Sequence, residues 1–72
     1  MNIRLRAARK AARKTQRQVA EEAKSSIRLY QDYEYGKREP GVYAAIRIAR
    51  VVGVSVEDLF EEAAFQRSQA KM

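Results

Sequence analysis

The chain has 72 residues, carries a formal net charge of +6 at pH 7, and contains neither cysteine nor histidine. This length predicts a single domain. It favours a compact all-helical form or an oligomer, because so short a chain buries little surface. Without cysteine and histidine the sequence lacks disulfides, a thiolate zinc site and the commonest general base. It also lacks a glycine-rich phosphate loop, so we expect no enzymatic activity, no metal and no cofactor.

Hydropathy and the N-terminus indicate where the chain resides. No apolar stretch approaches the roughly 18 residues that a membrane-spanning helix needs. The charged N-terminus is not followed by the apolar segment of a secretory signal. These features predict a cytoplasmic protein with no membrane partner.

The positive charge is concentrated in the first quarter of the chain. Residues 1–18 hold seven cationic side chains and no acidic one, whereas residues 41–72 hold four of each sign. The seven cations are Arg4, Arg6, Arg9, Lys10, Arg13, Lys14 and Arg17. A concentrated basic segment is typical of proteins that bind polyanions, but a solvated basic helix has the same composition. Charge alone leaves both interpretations open.

A first helix is predicted over residues 2–14, which are rich in Ala, Arg, Lys and Leu and contain neither Gly nor Pro. Its narrow apolar stripe consists of Ile3, Leu5, Ala8 and Ala12. Arg9 lies beside that stripe. Its stem can cover the core, or its guanidinium can meet an acidic partner within the core.

A second helix is predicted to begin after Thr15 and to run to about Ala23. Thr15 and Gln18 have the spacing of a capping box, in which each side chain bonds the backbone of the other. The exposed N–H groups of its first turn can hold a phosphate, although an ordinary cap has the same sequence. Lys24 and Ser25 then form a tight turn.

A third helix is predicted over residues 27–35, with Ser26 as its N-cap and Gly36 as its stop. Tyr30 and Tyr33 share one face, where we expect buried rings with hydroxyls that reach the surface. The opposite face presents Ile27, Arg28, Gln31 and Asp32. Gln and Arg suit paired contacts with purine edges, but they are also ordinary surface residues.

The next two elements provide most of the predicted core. Residues 42–52 form the most apolar helix, and Gly53 ends it. Its buried face is predicted to consist of Val42, Ala45, Ile48, Ala49 and Val52. Ser55 caps a fifth helix, in which Leu59 and Phe60 are the expected buried residues.

In this order and at this spacing, the features resemble the phage-repressor type of helix-turn-helix domain, the Cro/cI-like or XRE-type family. The resemblance runs without a gap from about Leu5 to Phe60. It rests on Arg9, Thr15, Gln16, Val19, Ala20, Ser26, Tyr30, Tyr33, Glu34, Gly36, Lys37, Arg38, Pro40, Ile48, Ala49, Val52, Gly53, Val54 and Ser55, with Leu59 and Phe60 at its end. It implies an all-α, compact five-helix domain like that of lambda repressor, with residues 27–35 as the recognition helix.

Carried over position by position, the resemblance implies a set of DNA contacts. The bases would be contacted by Ile27, Arg28, Gln31 and Asp32. The phosphates would be contacted by Gln16, Arg17, Ser26, Tyr35, Lys37 and Arg38. Arg9 and Glu34 match the positions of a partly buried ion pair between the first and third helices. Such a pair fixes orientation more than it adds net stability, because desolvation offsets most of the Coulomb gain.

The sequence departs from the family pattern in the core and in the turns. Lys24 and Ser25 replace the usual glycine and apolar residue of the turn before the recognition helix. Lys14 stands where the family usually has leucine, and alanine replaces leucine at Ala8 and Ala23. Gly41 replaces the usual cap of the fourth helix. These departures predict a thin core.

The recognition face is also unusual. Ile27 could pack on a thymine methyl group, and Arg28 could bind guanine O6 and N7. Asp32 is repelled by phosphates, so it could accept from a cytosine amine or hold Arg28, four residues away, in its rotamer. We favour the second role.

We predict a sequence-specific DNA-binding transcriptional regulator that acts as a repressor, with helix 27–35 in the major groove of double-stranded DNA. One such domain buries too little surface for tight, selective binding, so we expect a homodimer on an inverted repeat. Tyr43, Phe65 and the fifth helix are the candidate dimer surfaces. We expect no small-molecule ligand.

Residues 1–62 are predicted to form the DNA-binding domain, and residues 63–72 a helix extension or a frayed tail. The alternative function is an antitoxin-like or accessory protein-interaction module that uses the same fold, with DNA binding secondary. The stretch after Leu59 distinguishes the two functions.

Overall fold

The computed structural model describes residues 1–60. Within them lie five helices: α1 (Ile3–Ala11), α2 (Gln16–Glu22), α3 (Ile27–Tyr35), α4 (Val42–Val52) and α5, which is described over residues 56–60. The predicted all-α, five-helix fold is confirmed. None of the helices in residues 1–60 is long and apolar enough to cross a membrane. The predicted boundary at residue 62, the tail and Phe65 lie outside the described residues.

Side-chain caps begin three of the helices where the sequence predicts them. The hydroxyl of Thr15 accepts from the backbone N–H of Gln18 across 3.0 Å, and the side-chain Oε1 of Gln18 accepts from the backbone N–H of Thr15 across 2.8 Å. The capping box is therefore formed. The hydroxyls of Ser26 and Ser55 each accept from a backbone N–H three residues later, at 3.1 Å. These bonds satisfy N–H groups that a helix leaves unpaired at its start.

The predicted extent of the first helix is wrong at both ends, because α1 starts at Ile3 and ends at Ala11. Arg13 has a φ of +58°, a left-handed conformation that an α-helix cannot continue through. Ala12 is the C-cap, and the N–H of Arg13 donates to the carbonyl of Lys10 across 2.9 Å. The amino-acid composition up to Lys14 favours a helix. Local propensity therefore does not end α1 at Ala11, and tertiary contacts do.

Asn2 fixes the beginning of α1 to two other helices. Its Oδ1 accepts from the N–H of Leu5 across 2.9 Å, which makes Asn2 the N-cap. Its own N–H donates to the carbonyl of Glu34 across 2.8 Å, and its Nδ2 donates to the carbonyl of Leu59 across 3.0 Å. The side chain and the backbone N–H of Asn2 thus connect α1, α3 and α5.

The core lies where all five helices meet. Its fully buried large side chains are Leu5, Val19, Tyr30, Ile48 and Leu59, and small residues fill much of the remainder: Ala8, Ala20, Ala23, Ala45 and Ala49. The thin core that the alanines predict is therefore present.

Some predicted core residues lie elsewhere. Val42 is 72% exposed, so its assignment to the core is wrong; it is the first helical residue of α4, and the buried face of that helix begins at Ala45. Ile3, at the first position of α1, is exposed in the same way. Phe60 is only partly buried, while Leu59 is buried as predicted.

Candidate nucleic-acid interface

The turn between α2 and α3 determines how the third helix is presented. Ala23 is the C-cap of α2, and Lys24 takes a left-handed φ of +57°. The N–H of Ser25 donates to the carbonyl of Ala20 across 2.8 Å, which closes the turn before Ser26 starts α3. A lysine therefore adopts the conformation that glycine adopts most readily, and the turn keeps its tight geometry at the expense of local strain.

Arg9 and Glu34 form a bidentate ion pair between α1 and α3. Arg9 Nε donates to Glu34 Oε2 across 3.0 Å, and Arg9 Nη2 donates to Glu34 Oε1 across 2.9 Å. The side chains are 12% and 1% exposed. Arg9 Nη1 also donates to the carbonyl of Lys14 across 3.0 Å, so the same guanidinium holds the loop after α1.

The ion pair shifts the pKa of both partners away from their ordinary values. Burial is the largest single influence on the Glu34 carboxyl, and it opposes ionisation. The hydrogen bonds that the carboxylate accepts, chiefly from Arg9, together with the positive charge of Arg9, outweigh burial, so the pKa of the carboxyl is lowered. The hydrogen bond to Glu34 raises the pKa of Arg9. Both groups therefore stay charged across the physiological pH range. A bidentate fork of this kind also restricts rotation between the two helices.

Tyr30 lies beside this pair, fully buried in the core. The prediction that its hydroxyl reaches the surface is wrong, because the oxygen is buried. Burial, and then the neighbouring Glu34 carboxylate, raise the pKa of Tyr30. Tyr33 is also buried. The rings of both tyrosines therefore anchor α3 and leave its other face to the solvent.

Gln16, the first residue of α2, connects the ion pair to the outer surface of α3. Its Nε2 lies 3.3 Å from Glu34 Oε1 and 3.3 Å from the hydroxyl of Tyr35. Its Oε1 accepts from Gln31 Nε2 across 3.1 Å. The structure thus joins two predicted phosphate contacts, one predicted base contact and the ion pair in a single hydrogen-bonded group.

The four predicted base contacts differ in their exposure. Arg28 is exposed, whereas Gln31 and Asp32 are partly buried. Ile27 is also partly buried and packs against the core, so only part of it faces the solvent. All four residues belong to α3.

Asp32 pairs with Arg38 rather than with Arg28. The distance from Arg38 Nε to Asp32 Oδ2 is 3.8 Å. After Gly36, whose φ is +79°, the chain turns back, and the N–H groups of Lys37 and Arg38 donate to the carbonyl of Asp32. This bend brings Arg38 to the Asp32 carboxylate. The pairing replaces the Asp32–Arg28 contact that helical spacing favours.

The remaining predicted phosphate contacts lie on the exposed surface around α3. Arg17, Ser26, Tyr35, Lys37 and Arg38 are all exposed. The hydroxyl of Ser26 already accepts from the N–H of Leu29, but it can still donate a hydrogen bond. Gly36 is required where it stands for two reasons. Its φ is positive, and a Cβ at this position would lie 3.1 Å from the backbone nitrogen of Met1.

Two structural side chains were missed by the reasoning from sequence. Arg47 of α4 donates from Nε to the carbonyl of Ala23 across 2.8 Å, at the end of α2. Asn2 has a signal that could have identified it, because Asn immediately before a helical run is a favoured N-cap. Arg47 has no such signal, since its partner lies 24 residues earlier. Within residues 1–60 no group of acidic, His or Cys side chains could hold a metal ion.

A capped helix, a tight turn and a second capped helix with one exposed face define a helix-turn-helix unit, carried here on three further helices. The model of the helix-turn-helix family matches residues 5–59 of the 72. The chain therefore belongs to this family, in its XRE-type, Cro/cI-like form, and is a DNA-binding helix-turn-helix regulator. Neither a curated protein nor a solved structure matches the chain significantly.

Proposed function

We propose that the protein is a sequence-specific transcriptional repressor that places α3 in the major groove of double-stranded DNA. One observation carries the proposal. Arg28 is exposed and Gln31 is partly exposed on one face of α3, while the Arg9–Glu34 pair and the two buried tyrosines hold the helix from the core side. A helix held rigidly from behind can present its side chains to base edges in one register.

The proposed base contacts follow from side-chain chemistry. The guanidinium of Arg28 can donate two bonds to guanine O6 and N7, and the amide of Gln31 can pair with adenine N6 and N7. The exposed part of Ile27 can pack on a thymine methyl group. Asp32 is suited to a cytosine amine, and its pairing with Arg38 reduces its repulsion of nearby phosphates.

The proposed phosphate contacts surround this helix. Lys37 and Arg38 follow the Gly36 C-cap of α3, and Gln16 and Arg17 start α2. Ser26 and Tyr35, at the two ends of α3, can donate hydroxyl hydrogens. Such contacts give an affinity that is independent of sequence and falls steeply with salt, while the base contacts give the selectivity.

We further propose a homodimer on an inverted repeat, acting in the cytoplasm. A single domain of this size buries too little DNA surface for selective binding. Val42 and Tyr43, at the start of α4, are 72% and 78% exposed and offer an apolar surface for a second copy. Where the bound site overlaps a promoter, occupancy alone excludes the polymerase, so repression requires no further domain.

Selection of bound sites from a random pool of duplexes tests the proposal. The wild-type protein should enrich one sequence, and an inverted repeat in it would report the dimer. Arg28→Ala should lose the preference at one base pair in each half-site but retain non-specific binding. Arg50→Ala, which removes an exposed cation of α4, is the control and should leave the selected sequence unchanged. If no sequence is enriched, the proposed function is wrong. If Arg28→Ala keeps the wild-type preference at every base pair, the assignment of Arg28 to a base is wrong.

A further inference from the structure

Three side chains form a hydrogen-bonded path from the buried ion pair to the exposed face of α3. Glu34 Oε1 accepts from Arg9 Nη2 across 2.9 Å and from Gln16 Nε2 across 3.3 Å. Gln16 Oε1 in turn accepts from Gln31 Nε2 across 3.1 Å. Gln31 is the last member of the path and is a proposed base contact. The path therefore begins at a charge in the core and ends where DNA would lie.

The charge at the buried end gives the path a single direction. An ionised carboxylate can only accept hydrogen bonds, so Gln16 must turn its NH2 group toward Glu34. The hydroxyl of Tyr35, 3.3 Å from the same Nε2, provides a second acceptor for that group. The carbonyl oxygen of Gln16 then faces Gln31. Because that oxygen also only accepts, Gln31 must turn its own NH2 group toward it.

We infer that the Glu34 carboxylate, acting through Gln16, orients the amide of Gln31 and so determines which purine this residue reads. The inference rests on the proposed function, in which Gln31 contacts a base. Gln16 and Glu34 are positioning residues in this scheme, because they act on the base through Gln31. The amide of Gln31 would otherwise be free to rotate by half a turn, since its two ends have nearly the same shape.

The orientation has a consequence for recognition. With one N–H bonded to Gln16, Gln31 has one N–H donor and one oxygen acceptor left for DNA. This pair matches adenine, which offers the N7 acceptor and the N6 donor. In the reversed orientation the oxygen faces Gln16 and both N–H donors face the groove, which matches the N7 and O6 acceptors of guanine. The path should therefore favour adenine over guanine at one base pair.

Substitutions at Gln16 test the inference without removing the buried charge. Gln16 is partly exposed, so its replacement should leave the domain folded, which thermal unfolding can verify. Gln16→Met removes the hydrogen bonds to Glu34 and Tyr35 and the one from Gln31, and so releases the Gln31 amide. Gln16→Lys replaces the acceptor by a donor: the introduced ammonium can bond to Glu34 and to the oxygen of Gln31, which reverses the Gln31 amide. Gln31→Met identifies the base pair concerned, because only that position should lose its preference.

The measurement is competition binding of each folded variant to the selected site and to duplexes with A or G at the Gln31 base pair. The wild type should prefer A by about 5-fold or more. Gln16→Met should bring the A-to-G ratio close to 1, and Gln16→Lys should make it favour G. The Arg28 base preference should not change in either variant. On a Gln31→Met background, Gln16→Lys should not alter the ratio.

The outcomes separate the inference from the proposed function. If Gln31→Met lowers a base preference but Gln16→Met keeps the wild-type A-to-G ratio, the positioning role is wrong while DNA reading by α3 stands. If Gln16→Lys still favours A, the direction of the path is wrong. If Gln31→Met changes no base preference, Gln31 does not contact a base. The inference is then wrong, because it depends on that contact. If the wild type selects no sequence, the proposed function itself fails.

Discussion

Arg47 of α4 closes the end of α2 by donating from Nε to the carbonyl oxygen of Ala23 across 2.8 Å. Ala23 is the C-cap of α2, and the last carbonyls of a helix have no partner within it. The bond lies immediately before the turn that starts α3. The most apolar helix of the domain therefore stabilises the turn that sets the position of α3.

Arg47→Met should lower the free energy of unfolding by about 1–2 kcal/mol. The substitution keeps most of the apolar stem but leaves the Ala23 carbonyl without its charged donor. Urea unfolding followed by circular dichroism measures the effect. Arg50→Met, three residues later on the same helix, should change stability by no more than about 0.5 kcal/mol, since Arg50 is exposed. Equal losses in the two variants would mean that the bond to Ala23 adds nothing.

Lys24→Gly should raise the free energy of unfolding by about 0.5–1 kcal/mol. A left-handed φ costs an L-residue about 1–2 kcal/mol, and the greater freedom of glycine in the unfolded chain offsets part of the gain. Arg13 also has a positive φ, so Arg13→Gly should likewise raise the free energy of unfolding. Lys10→Gly is the control, because Lys10 lies within α1 and glycine is unfavourable in a helix. It should lower the free energy of unfolding by about 1 kcal/mol. Destabilisation by Lys24→Gly would show that the turn is not strained.

The helix boundaries could be predicted wherever local chemistry determines them. Ser26 caps α3, Gly36 ends it with a positive φ, and α4 runs over the predicted residues 42–52. The end of α1 could not be predicted, because it depends on contacts made elsewhere. The Arg9 guanidinium bonds the carbonyl of Lys14, and the Lys14 ammonium lies 2.7 Å from Glu22 Oε1.

The members of the candidate interface could be proposed from the family pattern, but their mutual contacts could not. Gln16 and Gln31 are 15 residues apart, and their hydrogen bond depends on how α2 crosses α3. Helical spacing favours an Asp32–Arg28 contact. The chain reversal after Gly36 instead brings Arg38 to Asp32, and no local pattern indicates this choice.

The Arg9–Glu34 pair should show strong coupling in a double-mutant cycle. Glu34→Gln and Arg9→Met should each lower the free energy of unfolding by about 3 kcal/mol, because each leaves its partner buried without a countercharge. The double variant should lose at least about 1 kcal/mol less than the sum of the single losses. Thermal and urea unfolding provide the four stabilities. Additive losses would show that the two residues do not stabilise each other in solution.

The same pair should make the domain sensitive to acid. The pKa of Glu34 is lowered in the folded state, so its contribution to stability is complete above the unfolded value of about 4.3. It is lost as the pH falls through the lowered folded value. Between pH 7 and pH 3 the stability advantage of the wild type over Glu34→Gln should therefore shrink. Urea unfolding of both proteins across this range gives the difference directly, and a constant difference would contradict the lowered pKa.

Lys37 and Arg38 should contribute to binding without contributing to selectivity. Both are exposed and follow the Gly36 C-cap of α3, where the proposed phosphates would lie. Changing both to Ala should weaken binding to every duplex. It should also reduce the slope of log affinity against log salt by about 1 for each phosphate that the variant no longer neutralises. The ratio between specific and non-specific affinity should stay close to its wild-type value.

The two cations can be separated, because Arg38 also pairs with Asp32 at 3.8 Å. Arg38→Ala removes a cation from the phosphate surface and leaves the Asp32 carboxylate without its partner, so it should weaken binding more than Lys37→Ala does. Adding Asp32→Asn to Arg38→Ala should recover that extra loss. Arg50→Ala on α4 is the control for a general effect of net charge and should leave the salt slope unchanged. If the slope is the same in the wild type and in the double variant, Lys37 and Arg38 do not contact phosphates.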